Sequence, residues 1–537
     1  MKKNQTRREF GRKLLGASVA CLTPWSISAY STTMTRPRNL EECFHIFSAG
    51  IASGDPTPSG VILWTKIDKE FYRPEENLLF LVSSDEDFSK PLLSGQVYSE
   101  DITAENDFTV KIDLDGKLDS NSVYFYRFEY REKISEIGRC RTLPAENEHL
   151  TKLRLAVFTC QNISGGYYTA FQDLVRADNA DFCVHLGDFI YEYVGYKFSD
   201  PSRNPELPSG ESTANSLADY RYLYTFYRKD RNLRKALARF TWMMVPDDHE
   251  TANNCYWDYE NNTMVAPNHP FNEKLPPSDV NAYFFSLKIA SQKAWSEYTP
   301  SRPSQVAEAT HPHEFLKKFR SFKLGLLGTL YATDTRTYRQ KPELENGSML
   351  GIDQRDWLLN GLTQESGWPV WANQTLFSEL SASIPTRGKT YFNTDAWDGY
   401  KGERTYILET LKSANVKNLV VLTGDMHTCL RSSISIQRSE IGTEYMVPAV
   451  SSSPAINVIK RFIEKKTQVS GFRPESAVVR LFNPHIRYFN ARVNGYGLMT
   501  LSPEQALFEA YSVDITKDGE SSTAKLIHRH IQKKKGA

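Results

Sequence analysis

Six short apolar runs beyond residue 150 of this chain each stop at polar side chains of a restricted kind. LRLAVFTC ends at Cys160, ADFCVHLGD at Asp188, and FTWMMVPDDHE at Asp247, Asp248, His249 and Glu250. LGLLGTLYATDTR delivers Asp334 and Arg336, WPVWANQT delivers Asn373 and Gln374, and NLVVLTGDMHT delivers Asp425 and His427. Such runs read as buried strands. The segments between them, such as LADYRYLYTFYRKDRNLRKALAR at 217–239, carry apolar residues at helical spacing, so the layout is α/β. In open α/β sheets, ligands bind beyond the carboxyl ends of the strands. One aspartate at a strand exit is ordinarily a turn residue or a helix cap. Six strand ends that send sulfur, oxygen and nitrogen donors to one edge point instead to a polynuclear metal site.

The donor types narrow the chemistry. Asp188, directly after Gly187, sits where a rigid turn leaves both carboxylate oxygens free to bridge two cations. Tyr191 contributes a phenolate only to a strongly Lewis-acidic ion, because its ordinary pKa is about 10. A thiolate, a phenolate and an imidazole together suit iron better than zinc or magnesium. Oxygen-rich donors such as Asp248, Asn253 and Asp425 suit harder cations, calcium among them. A mixed-metal site of this kind clamps a phosphoryl group and lowers the pKa of a bound water. Cys183 and His185, inside an apolar run, read as packed core, and Cys255 carries no evident role. His528, Arg529, His530 and the lysines up to Lys535 read as a solvated tail.

The rest of the chain divides by texture. Residues 45–145 show short β patterns (GVILWTKI, NLLFLVSS, FTVKIDL, SVYFYRFEYR) between turn signals, which predicts a β-sandwich. Residues 150–515 carry the α/β pattern, 197–216 form a polar insertion read as a loop, and 516–537 form a C-terminal extension. The N-terminus, TRREFGRKLLGASVACLTPWSISA, has a charged start with Arg7-Arg8, a short mildly apolar stretch and a small-residue exit near Ala29. This marks residues 1–30 as a twin-arginine signal peptide, implying the twin-arginine export machinery as a partner and an exported, periplasmic, secreted or envelope location. Outside it no run approaches the roughly 18 apolar residues of a membrane span. Six cysteines remain beyond the signal, too few for a disulfide framework, which leaves some of them free for ligation. A formal net charge of +1 gives no basic field for nucleic acid. A monomer is expected.

At these residues the sequence resembles the alkaline phosphatase D family of metallophosphoesterases. FSAGIASGDPTPSGVILWTK resembles the start of that family's Fn3-like N-terminal domain. FTCQNISGGYYTAF, HLGDFIYEY, DYRYLYTFYRKD, DDHETANN, DTRTYR, NQTLFSEL, WDGY, GDMHT and NPHIRYFN follow in the family's order, covering about residues 45–515. The chain departs from the family at Val245-Pro246, where a tryptophan commonly precedes the paired aspartates.

The resemblance implies a calcineurin-like α/β sandwich that hydrolyses phosphate esters with one Fe(3+) and two Ca(2+). Cys160, Asp188 and Tyr191 match the family's iron ligands, and similarity to purple acid phosphatases adds His427. Asp188 would bridge to a second metal held by Asp248 and Asp425, with Asn253 nearby in metal or substrate binding. Arg336 would meet the substrate phosphate, and His249 would protonate the leaving group or orient a ligand. The implied reaction is in-line attack by a metal-bound hydroxide. Two alternatives remain open at the level of sequence: a phosphodiesterase or phospholipase D acting on diester polymers, lipids or nucleotides, and an inactive exported binding protein.

Overall fold

The computed structural model describes residues 45–305, 311–343, 345–384, 388–456, 476–519 and 523–536. The expected signal peptide, residues 1–30, lies outside the described residues.

Two large sheets pack face to face. The first has nine strands in the order Lys525–Lys533, Gln505–Val513, Asn494–Leu501, Leu153–Phe158, Phe182–His185, Thr241–Met244, Ile51–Thr57, Gly60–Lys66 and Thr109–Asp113. The second has seven, in the order Arg320–Lys323, Gly328–Ala332, Trp368–Ala372, Leu419–Thr423, Ser439–Met446, Cys429–Ile436 and Ile486–Asn490. In each, the strands that carry the polar strand ends run parallel: Cys183 lies opposite Ala156 and Trp242, and Val370 opposite Leu330 and Val420.

The apolar runs are continuous because both faces of these strands are covered. Successive side chains point to opposite faces. Leu155, Val157, Val184, Met243, Val370, Val420 and Leu422 therefore meet in one core between the sheets. Ala156, Phe158, Cys183 and Trp242 face an outer core under the helices Thr169–Ala177, Leu217–Arg228, Arg231–Arg239 and Pro277–Tyr298. Trp371 and Val421 face the other outer core, under Ile352–Gln364 and Lys401–Ser413. The result is a four-layered α/β sandwich. The helical stretch 217–239 is two helices rather than one, because Asp230 caps the second by accepting from the N–H groups of Asn232 and Leu233, both at 2.9 Å.

The N-terminal β region is a sandwich, and one of its sheets is the nine-stranded sheet itself. Leu78–Ser83, Pro91–Val97, Val123–Tyr130, Lys133–Ile134 and Gly138–Arg141 form a separate five-stranded sheet. It closes on Ile51, Val61, Leu63, Val110 and Ile112 from the nine-stranded layer, burying Phe80, Val82, Tyr126 and Phe128 between them. Ile51–Thr57 joins by parallel pairing, Ser53 opposite Thr241 and Gly54 opposite Trp242.

The basic C-terminal segment is a strand and not a solvated tail. Lys525–Lys533 pairs antiparallel with Gln505–Val513 along the edge of the large sheet, where one face and one edge tolerate charge. His530 Nδ1 lies 2.8 Å from the Tyr445 hydroxyl, and the His528 ring stacks on Tyr488 with centroids 4.0 Å apart.

Candidate metal centre

The turn after each parallel strand presents the groups that the sequence singles out. Cys160, Asp188, Asp425 and His427 all adopt left-handed backbone, with φ of 55°, 58°, 62° and 48°. Cysteine rarely does so, and such conformations cluster where the surroundings enforce them at functional sites. The surroundings here are explicit. The Cys160 N–H donates to Gly187 O at 3.2 Å and the Gln161 N–H to Asp188 O at 3.0 Å, locking two strand ends together. Gly187 (φ 101°) has no room for a side chain, since a Cβ would lie 2.4 Å from Asp247 N.

Glu250 ties in the third strand end. Its buried carboxylate accepts the N–H groups of Asp188 (2.9 Å), Phe189 (2.8 Å) and Asp247 (2.8 Å). Burial, with Asp188 nearby, pushes its pKa up to about 8. Glu192 does the same for the other side of the loop, meeting His249 Nδ1 at 2.6 Å and accepting from Asn253 N–H at 2.7 Å.

Three donor groups result, each with ligand atoms within 4.8 Å of one another: Cys160, Asp188 and His427; Asp188, Asp248 and His249; Asp247, Asp248 and Asp425. Asp188 and Asp248 each belong to two of them. Tyr191 closes the first group, its hydroxyl 2.9 Å from Asp188 Oδ2 and 3.2 Å from His427 Nε2. His427 Nδ1 donates to Ser453 O at 2.9 Å, which fixes the tautomer that leaves Nε2 as a lone-pair donor. Asn253 sits on the same loop, positioned through its backbone.

The electrostatics are those of a site built around cations. Burial pushes Asp188 up to about 6 and Asp425 up to about 7, against the pull of His249 and Arg336. Asp247 and the Cys160 thiol are driven well above their ordinary values, again chiefly by burial. Burial pulls His427 down to about 4, so its ring is neutral, as a ligand's must be. Arg336 is 2% exposed and is the shared counter-ion of this acidic box: it pairs with Asp247 and Asp395, lies 3.0 Å from Asp425 and 3.7 Å from Asp248. It does not neutralise the box, and the buried Asp247 Oδ2 has no hydrogen-bond partner. An orphaned carboxylate oxygen in the Asp247, Asp248 and Asp425 group, with sulfur, phenol and imidazole donors in a neighbouring group, fits bound metal ions.

Several contributors carry no signal in the sequence. Ser452 Oγ lies 2.6 Å from the Tyr191 hydroxyl, Asp395 pairs with both Arg336 and Arg339, and Thr375 Oγ1 donates to Asp425 Oδ2 at 3.0 Å. Glu250 was visible only as the end of DDHE, without its clamping role. Conversely, Asn373 and Gln374 serve the backbone: Asn373 donates to Thr375 O, and Gln374 binds both Thr333 O and the Thr335 N–H. Asp334 pairs with Lys318 at 3.4 Å and caps its own turn.

Comparison with known proteins agrees with this geometry. Residues 155–509 match the PhoD-like phosphatase family, and residues 35–144 match the PhoD-like phosphatase N-terminal domain. The chain is 29% identical to alkaline phosphatase D of Bacillus subtilis (strain 168) over 93% of its own length and 83% of that protein. A solved structure of PhoD superposes with a TM-score of 0.76 at 26% identity, covering 91% of this chain and 90% of that one. A purple acid phosphatase from yellow lupin seeds shares the fold, with a TM-score of 0.50 at 10% identity over 86% of this chain and 71% of that one. Both the family match and the strand-end chemistry lead to one conclusion: the chain belongs to the PhoD-like phosphatase family and is a phosphoric ester hydrolase.

Proposed function

We propose that the chain is an exported alkaline phosphatase D-type enzyme that hydrolyses phosphate esters at a centre of one iron and two calcium ions. The observation that carries this reading is the sharing of Asp188 and Asp248 between adjacent donor groups. Cys160, Asp188, Tyr191 and His427 would hold the iron, because thiolate, phenolate and imidazole are its preferred partners in this set. Asp188, Asp248, Asp425 and Asn253 would hold calcium, which takes oxygen donors. Metal ions there would supply Lewis acidity, neutralising phosphoryl oxygens and lowering the pKa of water.

The protein's own groups do the rest. Glu250 and the left-handed turns hold the donors at fixed separations before any substrate arrives. Arg336 keeps Asp247, Asp248 and Asp425 aligned and adds fixed positive charge beside the developing phosphoryl charge. His249, held through Nδ1 by Glu192, gives a proton from Nε2 to the departing oxygen. Export is supported by Arg7-Arg8 and the short apolar stretch behind them.

The test is turnover of phosphate monoesters and diesters before and after chelation. Activity lost in chelator and restored by iron with calcium is expected, with the monoester preferred. Full chelator-resistant turnover contradicts the metal centre, and diester preference assigns the enzyme as a phosphodiesterase.

A further inference from the structure

A file of aromatic rings leads from the donor cluster to solvent. Tyr191, whose hydroxyl touches Asp188 and His427, stacks on the His249 ring with centroids 4.2 Å apart at 29°. His249 meets Tyr193 edge-on at 5.4 Å, and Tyr193 meets Tyr196 at 5.6 Å. The inner rings are buried, Tyr193 is half-buried, and Tyr196 is 59% exposed. Tyr193 is held by the backbone: it forms a β-bridge with Thr213, flanked by Ala214 N–H to Glu192 O at 2.7 Å and Val194 N–H to Ser212 O at 2.9 Å. Tyr196 follows the exposed Gly195 and precedes the exposed Lys197, so the apolar surface it offers is one ring wide. A rigid inner ring and an outer ring open to solvent make a stacking platform, which binds a flat partner at little entropic cost.

Resting on the phosphoesterase reading of the centre, we propose that Tyr193 and Tyr196 bind the organic part of the substrate, and that this part carries a planar ring, as a nucleoside or aryl group does. The file passes through His249, the residue placed at the departing oxygen. A leaving group on that side has its ring brought against Tyr193 and Tyr196 while its phosphoryl group sits among Asp188, Asp248 and Asp425. A strip one ring wide suits stacking and gives no broad apolar bed for an acyl chain.

The experiment compares kcat/KM for adenosine 5′-monophosphate, phenyl phosphate and glycerol 2-phosphate in the metal-loaded full chain, for the native protein, Tyr196→Ala and Tyr196→Phe. The ratio of either ring ester to glycerol 2-phosphate is expected to fall about tenfold in Tyr196→Ala, mainly through KM, and to hold in Tyr196→Phe. A fall confined to the adenosine ester identifies a nucleoside, and a fall for both ring esters identifies any flat ring. An unchanged ratio in Tyr196→Ala, or a Tyr196→Phe variant that behaves like it, overturns the proposal. No turnover by the native protein of these monoesters or of any phosphate diester overturns the phosphoesterase reading itself, and the inference with it.

Discussion

Two buried polar regions of this molecule look alike in composition and differ in charge balance. Between the N-terminal strands and the helix Pro277–Tyr298, Glu297 lies 2.6 Å from Arg221 and 3.1 Å from Lys293, and Asp107 lies 3.0 Å from Lys66. Arg228 covers the Trp64 ring at 3.7 Å and donates to Tyr298 O. There each carboxylate has its own cation. At the strand ends, Asp247, Asp248, Asp395 and Asp425 share Arg336, only Asp395 gains Arg339 as well, and Asp188 makes no ion pair among the described residues. Carboxylates as deeply buried as Glu297 and Asp247 occur in both places, so burial alone does not mark a site. Uncompensated negative charge does, because a folded protein tolerates it only when something else supplies the cations.

That contrast predicts opposite responses to neutralising one carboxylate. On the function proposed above, Asp188→Asn should lower kcat by about 10³-fold and reduce bound metal together, since a carboxylate oxygen common to two donor groups is lost. Turnover and metal content measured on the same sample check it; normal values for both would erase the contrast. Glu297→Gln should instead destabilise the fold by about 3 kcal/mol, because the buried Lys293 and the half-buried Arg221 lose their partner, while metal content holds. Urea unfolding reads this directly. A metal loss without destabilisation would place Glu297 in the site.

A pH profile extends the contrast on the structural side. Burial holds Lys111 down to about 7, with its Nζ donating to Ser301 O at 3.2 Å. Between about 7 and the ordinary 10.5, the unfolded chain binds a proton that the folded chain does not, so this lysine makes stability rise with pH over that window. Replacing it by Met should flatten the rise, by on the order of 5 kcal/mol across the window. An unchanged slope assigns the effect elsewhere. The smallest expected effect is at Ser452. Ser452→Ala removes a neutral hydrogen bond to the Tyr191 hydroxyl, about 1 kcal/mol, and on the proposed metal assignment should weaken iron retention severalfold without touching calcium. Equal loss of both metals would show that the serine only supports the turn.

How much of this was legible in the sequence follows from the range of each interaction. Cys160, Asp188, Tyr191, Asp248, Asp425 and His427 could be read because a polar group at the end of a doubly buried strand is costly unless a bound partner satisfies it. The clamp by Glu250 could not, because its three partners are backbone N–H groups, which have no sequence signature. Ser452 comes from a loop more than 250 residues away from Tyr191 in the chain. The short strands near residue 50 announced a sandwich, but a strand's pattern does not name its neighbour, so the parallel join of Ile51–Thr57 to Thr241–Met244 stayed hidden. The charges of Lys525–Lys533 disguised an edge strand as a tail: Leu526 to Ile531 alternate only weakly, and an edge exposes one ladder of backbone groups to water.

On the function proposed above, the strand-end donors form a metal centre rather than a structural polar network. Elemental analysis of the purified chain, secreted through its own N-terminal sequence, is the decisive measurement. About one iron and about two calcium ions per chain are expected, with hydrolysis lost as they are stripped. A folded, active protein containing only zinc would contradict the iron and calcium assignment, and one containing no metal would contradict the metal centre itself.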